Sequence, residues 1–247
     1  MLRLLCVTAH PDDEAGGFGG TLLACAQRGI ETYVVCMTAG QAASNRGSVK
    51  SDAELMKLRR AEFAESCKIL KVTGGEVLDY ADGKLEHADF YSTVADLTRR
   101  MRVLRPQVVI TMGPDGAVTG HPDHSMVSIF TTMAFHWAGR SNRFPEQLTG
   151  GIEPHRGQKL YYATARFTIP ERPPVAPAPV TASIDIREFL EGKILAFKAH
   201  TTQAALFGFF EDVVRKRGTQ ELFHLAAAST PRSAEQETDL FAGVSGE

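Results

Sequence analysis

Two apolar, β-branched runs in this chain each lead to a His-Pro-Asp unit. The first, Leu5-Cys-Val-Thr-Ala9, passes directly into His10-Pro-Asp-Asp-Glu14; the second, Val108-Val-Ile-Thr-Met112, precedes His121-Pro-Asp-His124. Runs of this kind read as buried strands that end in turns. The unit occurs twice in a chain with eight histidines, which ties the two strand ends to one purpose. If the strands are neighbours in one parallel sheet, both units lie on the same rim, where open α/β sheets place their ligands. The first run is apolar on both faces, which suits a mostly parallel sheet with helices on both sides.

The intervening sequence fits an alternating βα pattern. Leu2 to Ala9 is the first expected strand. Gly16-Gly-Phe-Gly-Gly20 reads as a close-approach turn leading into a helix from Thr21 to Ala26, which stops near Gly29. The glycines do not make a dinucleotide loop: Leu22 stands where a third glycine is required, and the preceding acids would repel a pyrophosphate. Thr32 to Thr38 is a second strand. The small-residue stretch Ala39 to Lys50 is long enough to serve as a lid. Ser51-Asp-Ala-Glu54 is a capping-box signature for a helix running to about Leu70. Gly74 and Gly75 precede a short strand, Val77 to Leu78, and the acidic turn Asp79 to Gly83.

Phe90, Val94, Leu97, Met101 and Leu104 repeat at steps of four and three, the stripe of a core-facing helix. At about 1.5–3 kcal/mol per side chain, the stripe contributes roughly 7–15 kcal/mol of gross burial. Asp123 and Ser125 are expected to cap the helix after the second motif. Leu160 to Ala165 and Ser183 to Ile186 read as strands, Glu188 to Ala199 and Ala204 to Arg217 as helices, and Ile169 to Pro179 as a Pro-rich extended loop. No composition shift marks a boundary, so residues 1–247 are expected to form a single domain, with 229–247 as a flexible tail.

Composition narrows the function classes. The chain has 247 residues, net charge −2 and pI about 6.5. That balance implies neither nucleic acid nor an anionic membrane as partner. No run approaches 18 uninterrupted apolar residues, and the N-terminal apolar run leads into motif residues, not a cleavage site. Cys6, Cys25, Cys36 and Cys67 each sit in an apolar run with no close pairing, the pattern of reduced thiols in a cytoplasmic protein.

A hydrolytic zinc site needs about three protein ligands and an open position for water. His10 and Asp13 lie three residues apart on one turn, and His121 and His124 share that spacing, with Asp12 and Asp123 between the members of each pair. The set exceeds what a metal requires. Its surplus is what catalysis needs: a base, an acid or oxyanion stabiliser, and an orienting carboxylate.

Ala9-His-Pro-Asp-Asp-Glu14 together with His121-Pro-Asp-His124 resembles the PIG-L/LmbE family of zinc-dependent amino-sugar N-deacetylases, which includes the deacetylases of mycothiol and bacillithiol synthesis. The resemblance covers the first strand to roughly His124 and extends more loosely to Gln203. It implies a Rossmann-like α/β fold with a C-terminal α/β extension. By position, it implies one zinc ion held by His10, Asp13 and His124. Asp12 resembles the general base, His121 the residue that stabilises the oxyanion or protonates the leaving amine, and Asp123 the carboxylate that orients it. Arg59, in Leu58-Arg-Arg-Ala-Glu62, resembles a substrate-contacting arginine; from the residues alone, a helix-surface salt bridge with Glu62 or Glu54 accounts for it equally well. Thr119 stands where some members carry a tyrosine, and His200 is given no catalytic role. The implied activity is hydrolysis of an N-acetyl group from a small amino sugar or its conjugate, by a chain that can also form homo-oligomers. Alternatives are an amidase for a thiol-sugar conjugate, a non-catalytic metal-binding protein, and a metal-dependent phosphoesterase. Two histidines with one Asp favour zinc over magnesium, which prefers oxygen ligands.

Overall fold

The computed structural model describes residues 1–166, 176–229 and 235–246. Among them, seven strands form one sheet: β1 (Arg3–Thr8), β2 (Glu31–Thr38), β3 (Gly74–Tyr80), β4 (Val108–Thr111), β5 (Lys159–Thr164), β6 (Ala182–Asp185) and β7 (Gln220–Ala228). Their spatial order is β3-β2-β1-β4-β5-β7-β6. Strands β1 to β5 are parallel, while β7 is antiparallel to both β5 and β6. The fold is thus a mostly parallel α/β sheet with a C-terminal antiparallel extension.

The two motif strands are neighbours, with Leu4 opposite Val108 and Val7 opposite Thr111. The chain moves outward from β1 through β2 and β3, then returns to lay β4 on the other side of β1. The crevice beyond the carboxyl ends of β1 and β4 is therefore the topological switch point, where an open α/β sheet accepts a ligand.

The helices are α1 (Asp13–Gln27), α2 (Asp52–Ile69), α3 (Phe90–Leu104), α4 (Pro122–Ala138), α5 (Leu190–Lys198) and α6 (Phe207–Arg217). Strand alternation sorts the core into two halves. Leu4, Cys6, Val34, Cys36 and Ile110 pack with Phe18, Leu22, Phe63 and Phe197 from α1, α2 and α5. Leu5, Val7, Val35, Met37 and Val109 pack with Val94, Leu97, Met101, Val127 and Phe130 from α3 and α4.

Several local expectations are corrected. Helix α1 begins at Asp13, not Thr21, and the glycine run lies inside it. The run serves close packing: a Cβ on Gly20 would lie 2.5 Å from Ile186 Cδ1. Strand β3 starts at Gly74 and takes in both glycines. Helix α4 is capped by His121, whose Nδ1 accepts the Asp123 amide, with Pro122 in the first turn. Phe90 is 41% exposed and lies off the core stripe, whereas Val94, Leu97 and Met101 are buried. The segment expected to be a flexible tail is instead packed over 235–246. Leu240 and Phe241 are buried, Glu237 bridges to Ala182, and its carboxylate meets Lys159 Nζ at 2.6 Å. Residues 230–234 and 247, and residues 169–175 of the Pro-rich stretch, lie outside the described residues.

Candidate metal centre

The first motif is a tight turn between β1 and α1. The Asp13 carboxylate folds back on it, with Oδ2 accepting the amides of His10 at 2.8 Å and Ala9 at 3.2 Å. Parallel pairing of β1 with β4 brings the second motif alongside. His124 Nε2 lies 3.3 Å from Asp13 Oδ1, and His10 Nδ1 lies 3.5 Å from Asp13 Oδ2. The three rings of His10, His121 and His124 sit 4.8–5.3 Å apart between centroids.

The outer partners orient these rings. His10 Nε2 faces Asp82 Oδ1 at 3.0 Å and Asp123 Oδ2 at 3.2 Å. His124 Nδ1 lies 3.2 Å from Gly116 O, which can only accept, and 3.1 Å from the Thr119 hydroxyl. With protons on these outer nitrogens, as metal binding would require, His10 Nδ1 and His124 Nε2 would present their lone pairs beside the Asp13 carboxylate. An imidazole that donates its far N–H to a carboxylate or carbonyl is the usual arrangement at a metal. Nitrogens of His10, His121 and His124 also lie within 4.8 Å of one another, as do ligand atoms of His10, Asp82 and Asp123. The described residues therefore contain a His/Asp cluster able to hold a metal ion. In the last of these groups the separations from His10 are hydrogen-bond distances, so Asp82 and Asp123 act on the ring from outside.

Burial disfavours the charged form of His10, but its bonds to Asp123, Asp13 and Asp82 overcome this and hold its pKa well above the usual value. Burial opposes ionisation of Asp13 as well, yet His124 and His10 hold its carboxyl well below the ordinary range. For His121, burial and the neighbouring His10 and His124 lower the pKa. Its Nδ1 accepts the Asp123 amide, so the proton of the neutral ring sits on Nε2.

Asp12 stands apart from this cluster. Its backbone is left-handed at φ 118°, and its side chain makes no capping bond to α1. A non-glycine residue in such a region costs about 1–3 kcal/mol and persists only where its surroundings enforce it. Here Glu14 Oε2 accepts the Asp12 amide at 2.9 Å and Arg59 Nη2 meets Asp12 Oδ2 at 3.0 Å. Burial pushes the Asp12 carboxyl up to about 6; Arg59 pulls the other way and Asp13 adds to the rise.

The structure gives Asp123 and Arg59 partners that their sequence spacing does not show. The Asp123 carboxylate does not orient His121: it binds His10 Nε2 and the amides of Gly83 at 2.7 Å and Leu85 at 3.1 Å. Arg59 forms no salt bridge with Glu62 or Glu54. It is 3% exposed and turned into the first motif, donating to Pro11 O and to Gly40 O at 3.1 Å. Glu62 instead binds Thr201 and Thr202. Asp82 was legible only as part of an acidic turn. The Glu14–His200 pair, 2.6 Å between Oε1 and Nε2 and fully buried, had no sequence signal because its members are 186 residues apart.

This geometry agrees with relationships across the whole chain. The family model described as PIG-L, GlcNAc-PI de-N-acetylase, matches residues 5–135. The chain is 31% identical to a 1D-myo-inositol 2-acetamido-2-deoxy-alpha-D-glucopyranoside deacetylase of Rhodococcus jostii, over 98% of each protein. It is 26% identical to a mycothiol S-conjugate amidase of Streptomyces coelicolor, over 99% of this chain and 98% of that one. N,N'-diacetylchitobiose deacetylase from Pyrococcus horikoshii shares its fold with a TM-score of 0.75 and 25% identity, covering 90% of this chain and 83% of that one. With motif spacing, sheet topology and family model in agreement, the chain belongs to the PIG-L family of de-N-acetylases.

Proposed function

We propose that this protein hydrolyses the N-acetyl group of a small amino sugar or amino-sugar conjugate, with one zinc ion held by His10, Asp13 and His124. The observation that carries the reading is the convergence of His10 Nδ1 and His124 Nε2 on the Asp13 carboxylate, at 3.5 and 3.3 Å, at the switch point of the sheet. Two imidazole nitrogens and one carboxylate match the donor set of hydrolytic zinc sites. A divalent ion held there supplies Lewis acidity toward the acetyl carbonyl and toward water.

The remaining roles fall to the chain's own groups. Asp12, with its carboxyl pushed up to about 6, takes a proton from the attacking water at near-neutral pH, where a base of this strength is effective. The water oxygen bonds to the acetyl carbon. His121 offers Nε2–H to the developing oxyanion. The carbon–nitrogen bond then breaks, acetate departs, and the amine collects the proton held by Asp12. Asp123 and Asp82 fix the His10 ring from outside. Arg59 fixes Asp12 rather than the sugar.

The likeness to deacetylases of an inositol-linked amino sugar and of diacetylchitobiose supports an N-acetylated glucosamine unit as substrate. The likeness to an S-conjugate amidase favours, as a second reading, a bulkier acyl group on the same nitrogen. The four buried free cysteines support a cytoplasmic location, and no described helix is long and apolar enough to cross a membrane. The test is acetate release from N,N'-diacetylchitobiose, N-acetylglucosamine and the N-acetylglucosaminyl inositol, before and after chelation. Release that stops on chelation and returns with zinc is expected. Release that survives complete metal removal would overturn the reading.

A further inference from the structure

We infer that His200 is a positioning residue for the reaction, acting through Glu14 on the backbone of Asp12. This rests on Asp12 being the base. An Asp at a helix N-cap ordinarily turns its carboxylate onto the first free amides of the helix. At α1 that bond is absent, and Asp12 holds a left-handed backbone. Its carboxylate is thereby turned away from the helix, toward Arg59. The group that secures this conformation from the helix side is Glu14, whose Oε2 takes the Asp12 amide at 2.9 Å.

Glu14 is itself fixed from two other elements. Ser66, on α2, donates to Oε1 at 2.6 Å, and His200, in the turn after α5, meets the same oxygen through Nε2 at 2.6 Å. Both Glu14 and His200 are fully buried. Among the described residues, ring nitrogen Nδ1 of His200 has no hydrogen-bond partner, and its imidazole binds Glu14. Burial opposes the charge on each residue, and each then favours ionisation of the other. A buried ion pair is an inefficient way to gain stability. This one is aimed at the amide that sets where Asp12 points.

Removing the His200 donor frees Glu14 to rotate, and Asp12 relaxes toward an ordinary cap whose carboxylate turns onto the helix. The chemical step should suffer while the metal ligands and the sugar contacts remain. The experiment compares wild type, His200→Gln, His200→Leu, Ser66→Ala and Asp12→Asn as zinc-loaded proteins, with N,N'-diacetylchitobiose as probe. Zinc stoichiometry, kcat, KM and Tm are measured for each.

Because loss of an outer partner costs about 10–100-fold, His200→Leu should lose that much kcat with KM within about twofold and one zinc per chain retained. His200→Gln, whose amide nitrogen can reach the same carboxylate, should recover kcat to within about threefold of wild type. Ser66→Ala, a smaller excision at the same carboxylate, should show the same split at smaller size even if His200→Leu folds poorly. Wild-type kcat in His200→Leu and Ser66→Ala with only a lower Tm would overturn the inference and leave the base intact. So would a rise in KM at constant kcat. Full turnover by Asp12→Asn would overturn the base assignment as well.

Discussion

Arg59→Ala separates two accounts of the same residue. Arg59 is buried, and its guanidinium makes three bonds: to Pro11 O, to Gly40 O at 3.1 Å and to Asp12 Oδ2 at 3.0 Å. Breaking a buried pair by removing one partner costs about 3–5 kcal/mol. The Asp12 side chain is 19% exposed, so water offsets part of this, and about 3 kcal/mol is the expected loss of stability. For a chain of this size that lowers Tm by about 6–12 °C. The catalytic effect has a defined sign. Arg59 lowers the Asp12 pKa against burial, which otherwise raises it. Without the guanidinium the carboxyl moves above about 6, so the base ionises at higher pH and the acidic limb of kcat moves in the alkaline direction. Profiles of kcat against pH for wild type, Arg59→Ala and Arg59→Lys, on the best N-acetyl substrate, read this directly; Arg59→Lys keeps the charge and should sit between the other two. An unmoved acidic limb with raised KM and unchanged kcat would refute the reasoning and return Arg59 to substrate contact.

Two further outcomes follow from packing. Gly40 sits at φ 68°, and a Cβ there would clash with the Arg59 guanidinium, so Gly40→Ala should cost about 1–3 kcal/mol and reproduce the alkaline shift of Arg59→Ala. Parallel melting curves and pH profiles check this. Glu237→Ala strands the buried Lys159 ammonium, whose partner oxygen is 2.6 Å away. It should lower stability by about 3–5 kcal/mol while zinc content and kcat of the folded protein stay unchanged, as denaturant unfolding and metal analysis would show.

The rim of the sheet was legible because two apolar runs led to the same three-residue unit, and a parallel sheet has few ways to bring both ends together. What stayed hidden has physical reasons. Helix α1 starts earlier than its sequence suggests because four glycines in five residues read as a turn, whereas Gly16, Gly19 and Gly20 admit the close approach of α5 and Ile186. Strand β7 carries no clear strand signal because Glu221 shares its buried face with Phe223 and Leu225, and the strand ends in three alanines. Arg59 sits on a helix with Glu62 three residues on, so local spacing suggested a surface pair; only the folded chain brings Asp12, 47 residues away, within reach. The roles of Asp82 and His200 likewise depend on contacts to His10 and Glu14 that no local pattern encodes. The packed segment around Phe241 was hidden by its polar neighbours, of which Glu237 and Asp239 pair with Lys159 and Arg28.

The most direct test of the account is a paired measurement of bound zinc and kcat in Asp12→Asn and Asp13→Ala. These carboxylates are adjacent in sequence, yet one faces Arg59 and the other faces His10 and His124. Asp12→Asn should retain one zinc per chain and lose about 10²–10⁴-fold in kcat, the range for loss of a general base. Asp13→Ala should lose zinc, with activity recovering in part when excess metal is supplied. A metal-free Asp12→Asn beside a zinc-filled Asp13→Ala would contradict the account, as would two variants with wild-type zinc and wild-type rate.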